Sequence, residues 1–192
     1  NDSRIVEFSD NLYLGFEKTY SNDEVEIECA MFDAELKDSD HAEIVDLLRN
    51  KNIVAIFQGR SENGPRALGN RSILFDPTVV DGKDFVNEVK HREYFRPFAG
   101  TILKEHAHEW FDLRGMEESS SMMYAVNCKP GVAEKIPSVI HVDGTCRIQT
   151  VTEKQIYWGI EHNIRAFERR AHIPKRCKRD TLALSFGCIG SN

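Results

Sequence analysis

The chain has 192 residues, of which 41% are hydrophobic and 29% charged, a composition typical of one globular domain with a proper core. No apolar stretch approaches the length of a membrane-spanning helix, and residues 1–4 are not typical of a secretory signal peptide. The net charge is −6, and residues 1–50 hold 4 Lys and Arg against 14 Asp and Glu. We therefore expect no membrane or nucleic-acid partner, and an acidic face that is solvated or docks another domain.

Cysteine and histidine usage gives no sign of a metal site. The five cysteines are odd in number and none belongs to a CxxC pair, which predicts free thiols in a reducing cytosol, hence a cytoplasmic protein. His106 and His108 are two residues apart and do not share a helix face, so solvated side chains are favoured over a metal clip.

Apolar spacing in the first fifty residues predicts two helices. Residues 21–23 supply caps for the first helix. Its expected buried positions are Val25, Cys29 and Phe32. Ser39 or Asp40 caps the second helix. Its expected buried positions are Ile44, Leu47 and Leu48.

The next segment joins a strand-like apolar run to a turn rich in glycine and arginine. Residues 53–57 predict a buried strand, and Pro65 is well placed to open a helix after the turn. Arginine offers a fixed fork of donors for phosphate oxygens, and glycine lets backbone N–H groups approach an anion closely. A loop between a buried strand and a helix predicts an anion site. The alternative is a surface turn with solvated arginines.

Two later segments carry similar chemistry. Residues 90–99 place further cations beside aromatic residues and a proline. Residues 141–151 predict two short strands joined by an Asp-Gly turn, with an arginine just past it. Other predicted strands are 72–75, 98–103 and 122–126, and other predicted helices are 106–113 and 153–171. A further helix is expected after Asp81-Gly82, carrying Phe85, Val86 and Val89 and delivering Lys90 and Arg92 at its carboxy end. Alternating strands and helices predict a single mixed α/β domain.

Three strings, 57–72, 90–99 and 141–151, together resemble the carboxy-terminal domain of the carbamoyltransferases that decorate antibiotics and nodulation factors, the tobramycin, cephamycin and NodU-type enzymes. The resemblance implies a YrdC-like α/β fold, a twisted mixed sheet with flanking helices, which activates carbamoyl phosphate with ATP to carbamoyl-adenylate. It implies a joining segment with the first helix at 1–38, the YrdC-like domain at 39–174 and an atypical tail at 175–192.

Such a site must hold two polyanions together, and fixed guanidinium groups with oriented N–H donors would neutralise their charge. On the resemblance, the residues that we expect to be catalytic are Arg60, Arg66, Lys90 and Arg96. Those that we expect to bind ATP, with magnesium, are Gly59, Arg71, Arg92, Thr145 and Arg147.

Several of these side chains also have a simpler interpretation. Arg92 or Arg96 would pair with a neighbouring acid, Glu88 or Glu93. His91 and His141 are as readily structural as catalytic. Asp143 would orient Arg147, hold a metal bound to the triphosphate, or only shape the Asp-Gly turn.

Two departures from the family are visible. Its full-length members carry an N-terminal sugar-kinase-like transferase domain with an iron site, and nothing here corresponds to it, so we expect a fragment or one half of a split enzyme whose partner acts in cis or in trans. Residues 175–179 replace an apolar family strand that ends in Asn-Thr-Ser. We expect residues after 174 to pack poorly, with no strand completing the site, because four of those five residues are cations. A premature end or a reading-frame error would produce this break and leave the nucleotide pocket incomplete and the isolated chain inactive.

Two other functions stay open. A threonylcarbamoyl-adenylate synthase-like enzyme of tRNA modification would share the fold. An inactive nucleotide-binding module would fit an altered tail.

Overall fold

One seven-stranded mixed sheet organises the computed structural model, which describes residues 12–36, 39, 41–152 and 182–187. The strands are β1 (Val54–Phe57), β2 (Arg71–Phe75), β3 (Ala99–Leu103), β4 (Phe111–Asp112), β5 (Ala125–Cys128), β6 (Thr145–Val151) and β7 (Leu182–Gly187). Their order across the sheet is β1-β2-β7-β3-β6-β5-β4, with β3 and β6 parallel and the other pairs antiparallel. This is the mixed sheet that the sequence predicted.

Helices flank the sheet. They are α1 (Asn22–Met31), α2 (His41–Arg49), α3 (Gly82–Val89) and α4 (Lys104–Trp110), with a short 3-10 helix at Pro137–Val139. Ser21 caps α1 by accepting from the Glu24 backbone N–H, and the Glu24 side chain caps in return, as residues 21–23 predicted. In the part of the chain that the structure describes, no helix is long and apolar enough to cross a membrane.

The core lies around the middle strands. Every residue of β3 is buried, and α3 and α4 contribute Val86, Ala107 and Trp110 to the same apolar cluster. The mixed α/β class is therefore confirmed, with β3 and β6 as the parallel pair at its centre.

The structure corrects the expected burial of three segments. None of the residues of α1 is buried, and Phe32 is 77% exposed. Acidic residues are interleaved with the apolar ones on α1, so no continuous apolar stripe forms. In α2, Leu48 is buried as expected but Leu47 is exposed. The strand at 54–57 forms, yet it lies at the edge of the described sheet with alternate residues exposed, so it is not a buried strand.

The structure also corrects the prediction for the carboxy-terminal tail. The prediction that no strand follows residue 174 is wrong, because β7 lies between β2 and β3 and pairs with both. A six-residue run of low charge, LALSFG, suits a central strand whose backbone groups are paired on both sides. The cations at 175–179 and the helix expected at 153–171 lie outside the described residues.

Candidate anion-binding site

The arginine-rich loop connects β1 and β2 and opens no helix, which corrects the helix-terminus prediction. A single carboxylate shapes it instead. Glu62 Oε1 accepts from the backbone N–H groups of Leu68 and Asn70 at 2.8 Å each and of Arg71 at 3.1 Å. The loop is therefore pinned around Glu62, which satisfies backbone groups that a helix would have paired.

Arg71 braces the same loop from the side. Its guanidinium donates to the carbonyls of Gln58, Gly59 and Asn70, and it stacks on the Phe57 ring at 3.7 Å. These contacts use most of its donors, so the structure gives Arg71 a role in holding the loop.

Arg60 joins the loop to the amino-terminal segment. Its Nε donates to the Gly15 carbonyl at 3.0 Å and its Nη2 to the Leu14 carbonyl at 3.3 Å. A Cβ on Gly15 would lie 2.0 Å from Ser61 Oγ, so only glycine permits this approach. Arg60 thus positions the segment that begins at Leu12 beside the loop.

Gln149 fastens the loop onto the sheet. It is 1% exposed, and its Nε2 donates to the Leu68 carbonyl at 2.9 Å while its Oε1 accepts from Thr101 at 3.3 Å. Tyr13 donates to the same carbonyl at 2.8 Å. Gln149 and Arg147 are alternate residues of β6 and share a sheet face, so the loop lies over the face that carries Arg147.

Asn87 shapes the turn after α3. It is 1% exposed, and its Nδ2 donates to the carbonyls of Tyr94 and Arg96, both at 3.1 Å. Its Oδ1 accepts from Arg92 Nε at 2.5 Å, and the Arg92 guanidinium lies 4.3 Å from the centre of the Phe98 ring. Arg92 is therefore held in one orientation by an amide and an aromatic face.

The other two cations of this turn lie differently. Arg96 forms a 2.7 Å ion pair with Glu93, and the two side chains are 45% and 53% exposed. This matches the simpler interpretation of Arg96 and not that of Arg92, whose Nε donates to Asn87. Lys90 ends α3, and its backbone N–H donates to the Val86 carbonyl.

The three strings come together around β6. Gln149 of β6 holds the Leu68 carbonyl of the loop that carries Arg66, and Arg147 pairs with Ala99, the neighbour of Phe98, whose ring lies under Arg92. Burial lowers the pKa of Arg147 most and the charge of Arg66 lowers it further, while Cys146 raises it and the charge of Arg92 lowers it by the smallest amount. Burial and the charge of Arg96 likewise lower the pKa of Arg92, while Glu93 raises it. Like charges that are partly withdrawn from water repel one another, and a bound anion would relieve that repulsion.

Four buried side-chain nitrogen atoms lack a hydrogen-bond partner in the described part of the chain. Among the described residues, the buried side-chain atoms without a hydrogen bond are Arg66 Nε, Arg92 Nη2, Arg147 Nε and His141 Nε2. A buried N–H group without an acceptor is costly, and such groups are normally paired in folded proteins. We call Arg66, Arg92, Arg147 and His141 the arginine cluster; its three guanidinium donors fit the oxygens of a phosphate or carboxylate.

The Asp-Gly turn positions the histidine of this cluster. Asp143 Oδ1 accepts from the Thr145 backbone N–H at 3.0 Å and from the Thr145 hydroxyl at 2.7 Å, and these bonds lower the pKa of Asp143. Thr145 Oγ1 also lies 3.0 Å from His141 Nδ1. Of the roles expected for Asp143, the structure shows that of shaping the turn, and it engages Thr145 within the turn as well.

The remaining candidates form no metal centre. His106 is buried, which corrects its expected solvation, while His108 is exposed as expected. His106 Nδ1 lies 3.4 Å from Glu109 Oε1, and within the described ranges no group of three metal-ligating side chains is assembled. Cys29, Cys128 and Cys146 are free thiols, as predicted for them, and burial raises the pKa of Cys146 to about 12.

Sequence reasoning missed three polar residues that build the site: Glu62, Asn87 and Gln149. Gln149 could have been found, because it lies two residues after Arg147 on a predicted strand and must share its face. An asparagine inside a predicted helix, as at position 87, is a weaker signal. Nothing local marks Glu62 as the residue that pins the loop.

Comparison with known proteins assigns the family. Residues 45–176 match the family model described as "Carbamoyltransferase C-terminus". The chain is 40% identical over 146 residues to nodulation protein NolO of Bradyrhizobium diazoefficiens, which covers 74% of this chain and 26% of that protein. It is 44% identical over 126 residues to nodulation protein NolNO of Sinorhizobium fredii, covering 64% and 18%. It is 34% identical over 146 residues to nodulation protein U of Azorhizobium caulinodans, covering 76% and 26%.

A crystal structure of full-length HypF in the phosphate- and nucleotide-bound form is similar at 14% identity and a TM-score of 0.49, covering 79% of this chain and 17% of that one. That likeness is too low to carry an argument. The chain spans about a quarter or less of the length of the curated relatives named above. On the family match and these identities, the chain belongs to the carbamoyltransferase C-terminus family.

Proposed function

We propose that this chain activates carbamoyl phosphate with ATP to carbamoyl-adenylate, for transfer to a small-molecule acceptor by an N-terminal sugar-kinase-like domain in cis or in trans. Membership of the carbamoyltransferase C-terminus family supports the carbamoyl chemistry. The observation that carries the proposal is the meeting of Arg66, Arg92 and Arg147, each with a buried N–H that lacks a partner. Three such donors suit a substrate with several phosphate oxygens.

The reaction balances with one water. Carbamoyl phosphate, ATP and water give carbamoyl-adenylate, pyrophosphate and phosphate: water takes the phosphoryl group of carbamoyl phosphate, and the freed carbamate oxygen attacks the α-phosphorus of ATP. Pyrophosphate leaves as that oxygen–phosphorus bond forms. No side-chain nucleophile is required, so the protein acts by neutralising and aligning two anions and by stabilising charge that develops in the transition state.

Within this scheme the arginines divide the work. Arg66, Arg92 and Arg147 would contact the phosphates directly. Arg60 and Arg71, with their donors on loop and segment carbonyls, would hold the loop that carries Arg66 in place. Contact of Lys90 and Arg96 with the reactants stays a prediction.

Magnesium would enter with the nucleotide. The three guanidiniums of the cluster offer N–H donors, which bind anions and do not ligate cations, and His141 is a single imidazole, so the described residues here do not fit a resident metal. Any magnesium would be held by the phosphate oxygens of ATP.

The proposal is tested by carbamoyl-phosphate-dependent release of pyrophosphate from ATP. Replacing Arg66 by Ala should lower the rate about a hundredfold to a thousandfold, as expected for the loss of one transition-state donor. Arg66→Lys should restore only part of it, because a point charge cannot reproduce the guanidinium fork. Lys129→Ala removes an exposed cation on the loop after β5 and should leave the rate unchanged.

The outcome separates the functions that the sequence left open. Release that requires threonine and bicarbonate would indicate the threonylcarbamoyl-adenylate reaction. ATP binding without release would indicate an inactive module. If Arg66→Ala melts early and its folded fraction turns over normally, Arg66 is structural.

A further inference from the structure

The arginine cluster contains one buried atom that accepts hydrogen bonds. Asp143 has a lowered pKa, so its carboxylate is ionised at neutral pH and can only accept. The single hydroxyl hydrogen of Thr145 therefore points to Asp143 Oδ1 at 2.7 Å. Thr145 Oγ1 is left to accept from His141 Nδ1 at 3.0 Å, so Nδ1 carries the imidazole hydrogen.

This arrangement fixes what His141 Nε2 can do. Burial lowers the pKa of His141 most, the charge of Arg147 lowers it further, and Asp143 and the Phe98 backbone raise it. The ring is consequently neutral at neutral pH, with its hydrogen on Nδ1 and a lone pair on Nε2. Nε2 is buried and has no hydrogen-bond partner in the described part of the chain.

His141 lies beside the strand that carries Arg147. Its backbone N–H donates to the Thr145 carbonyl at 2.8 Å and its Nδ1 lies 3.0 Å from Thr145 Oγ1, and Thr145 and Arg147 are alternate residues of β6 that share a sheet face. Phe98 lies between Arg92 and His141, because its ring lies under the Arg92 guanidinium and its backbone approaches the His141 ring. The buried atoms in need of partners are thus three donors and one acceptor in one region.

We propose that His141 Nε2 accepts a hydrogen bond from the amino group of carbamoyl phosphate, and so selects the carbamoyl group against acyl groups of the same size that lack an N–H. This inference rests on the proposed function and adds the group that distinguishes carbamoyl phosphate from acyl phosphates of the same size. The phosphate and carbonyl oxygens of carbamoyl phosphate are all acceptors, and the arginines can satisfy them. Its amino group is a donor, which no arginine can satisfy.

Acetyl phosphate is the matched probe, because a methyl group replaces the amino group at nearly equal size. A site built around a hydrogen bond rejects an analogue that cannot form it, since the buried acceptor is then left unpaired. We therefore expect the native chain to bind carbamoyl phosphate about tenfold or more tightly than acetyl phosphate.

Calorimetric titration of the full 192-residue chain with carbamoyl phosphate, acetyl phosphate and inorganic phosphate tests this directly. His141→Asn keeps an amide N–H near Thr145 but removes the acceptor, and it should lose the preference while still binding the other two ligands. His141→Gln places an amide oxygen near the position of Nε2 and should keep part of the preference. A purely structural His141 would instead weaken all three ligands together.

A second experiment measures how the preference of the native chain depends on pH, and it needs no variant. Protonation of His141 turns Nε2 into a donor, so the native preference should fall toward none as the solution is acidified through the lowered pKa of His141. The groups that set this titration are Arg147 and Asp143. The two acyl phosphates carry the same phosphate group, so its own protonation cancels in the ratio.

Each result decides something. Equal affinity of the native chain for the two acyl phosphates, or a preference kept by His141→Asn, overturns the inference and leaves the proposed function standing if carbamoyl phosphate still binds. A native chain that binds none of the three ligands overturns the proposed function and the inference with it.

Discussion

At the scale of single residues, burial of individual donor atoms separates arginines that the sequence shows as equivalent. Arg60 and Arg71 lie in the same short string as Arg66, yet their N–H groups end on backbone carbonyls. Arg66 Nε has no hydrogen-bond acceptor in the described part of the chain. The sequence could mark the string as anion-binding, but it could not say which donors are free, because that depends on where distant carbonyls lie.

Glu62 gives the sharpest residue-scale prediction. Its Oε1 accepts from three backbone N–H groups of the loop, and hydrogen bonds to charged groups are among the stronger ones. Glu62→Ala should lower the free energy of unfolding by about 2–3 kcal/mol, measured by urea denaturation. Glu62→Gln keeps an acceptor oxygen and should lose less.

The matched control for Glu62 is Glu93→Gln. That carboxylate forms an exposed ion pair with Arg96, whose expected worth is small. Equal stability of Glu62→Ala and the native chain would show that the loop does not depend on this carboxylate.

At the scale of elements, periodicity predicted which strands and helices exist better than where they pack. The Asp-Gly turn, α3 with Lys90 at its end, and a strand at 99–103 were all predicted from local pattern. The position of β1 at the sheet edge was not, because a four-residue apolar run reads the same whether one face or both are covered. The sequence also could not predict that β7 lies beside β3, because that position depends on pairing with strands about a hundred residues earlier.

The turn element carries a pH prediction. Because the pKa of folded His141 lies below its ordinary value of 6.5, the unfolded chain takes up this proton at a higher pH than the folded chain. The contribution of His141 to stability is therefore complete above about pH 6.5 and is lost as the pH falls toward the folded pKa. In urea denaturation, the native chain should lose more stability than His141→Gln on acidification through this window.

Asp143 does not confuse this comparison. Its lowered pKa makes its contribution persist until the pH falls below its ordinary value of 3.8, so it titrates in a separate, more acidic window. Parallel pH profiles for the native chain and His141→Gln would contradict the neutral, partly buried state of His141.

At the scale of the whole molecule, the sequence predicted that three separate strings meet. The structure brings the loop of Arg66, the Phe98 ring under Arg92 and the strand of Arg147 together around β3 and β6. What the sequence could not supply are the polar anchors between them. Gln149 ties the loop to β6 and Asn87 orients Arg92, and both act across long stretches of chain. These hydrogen bonds hold close together in the fold cations that are far apart in the sequence.

The most direct measurement is calorimetric titration of carbamoyl phosphate into the native chain and into Arg66→Ala, Arg147→Ala and the double variant. If the three guanidiniums form one anion site, each single change should weaken binding by about tenfold or more, and the double change should show coupling between the two. Lys129→Ala, which removes an exposed cation outside the cluster, should bind much as the native chain does. Undiminished binding by both Arg66→Ala and Arg147→Ala would contradict an anion site at this cluster.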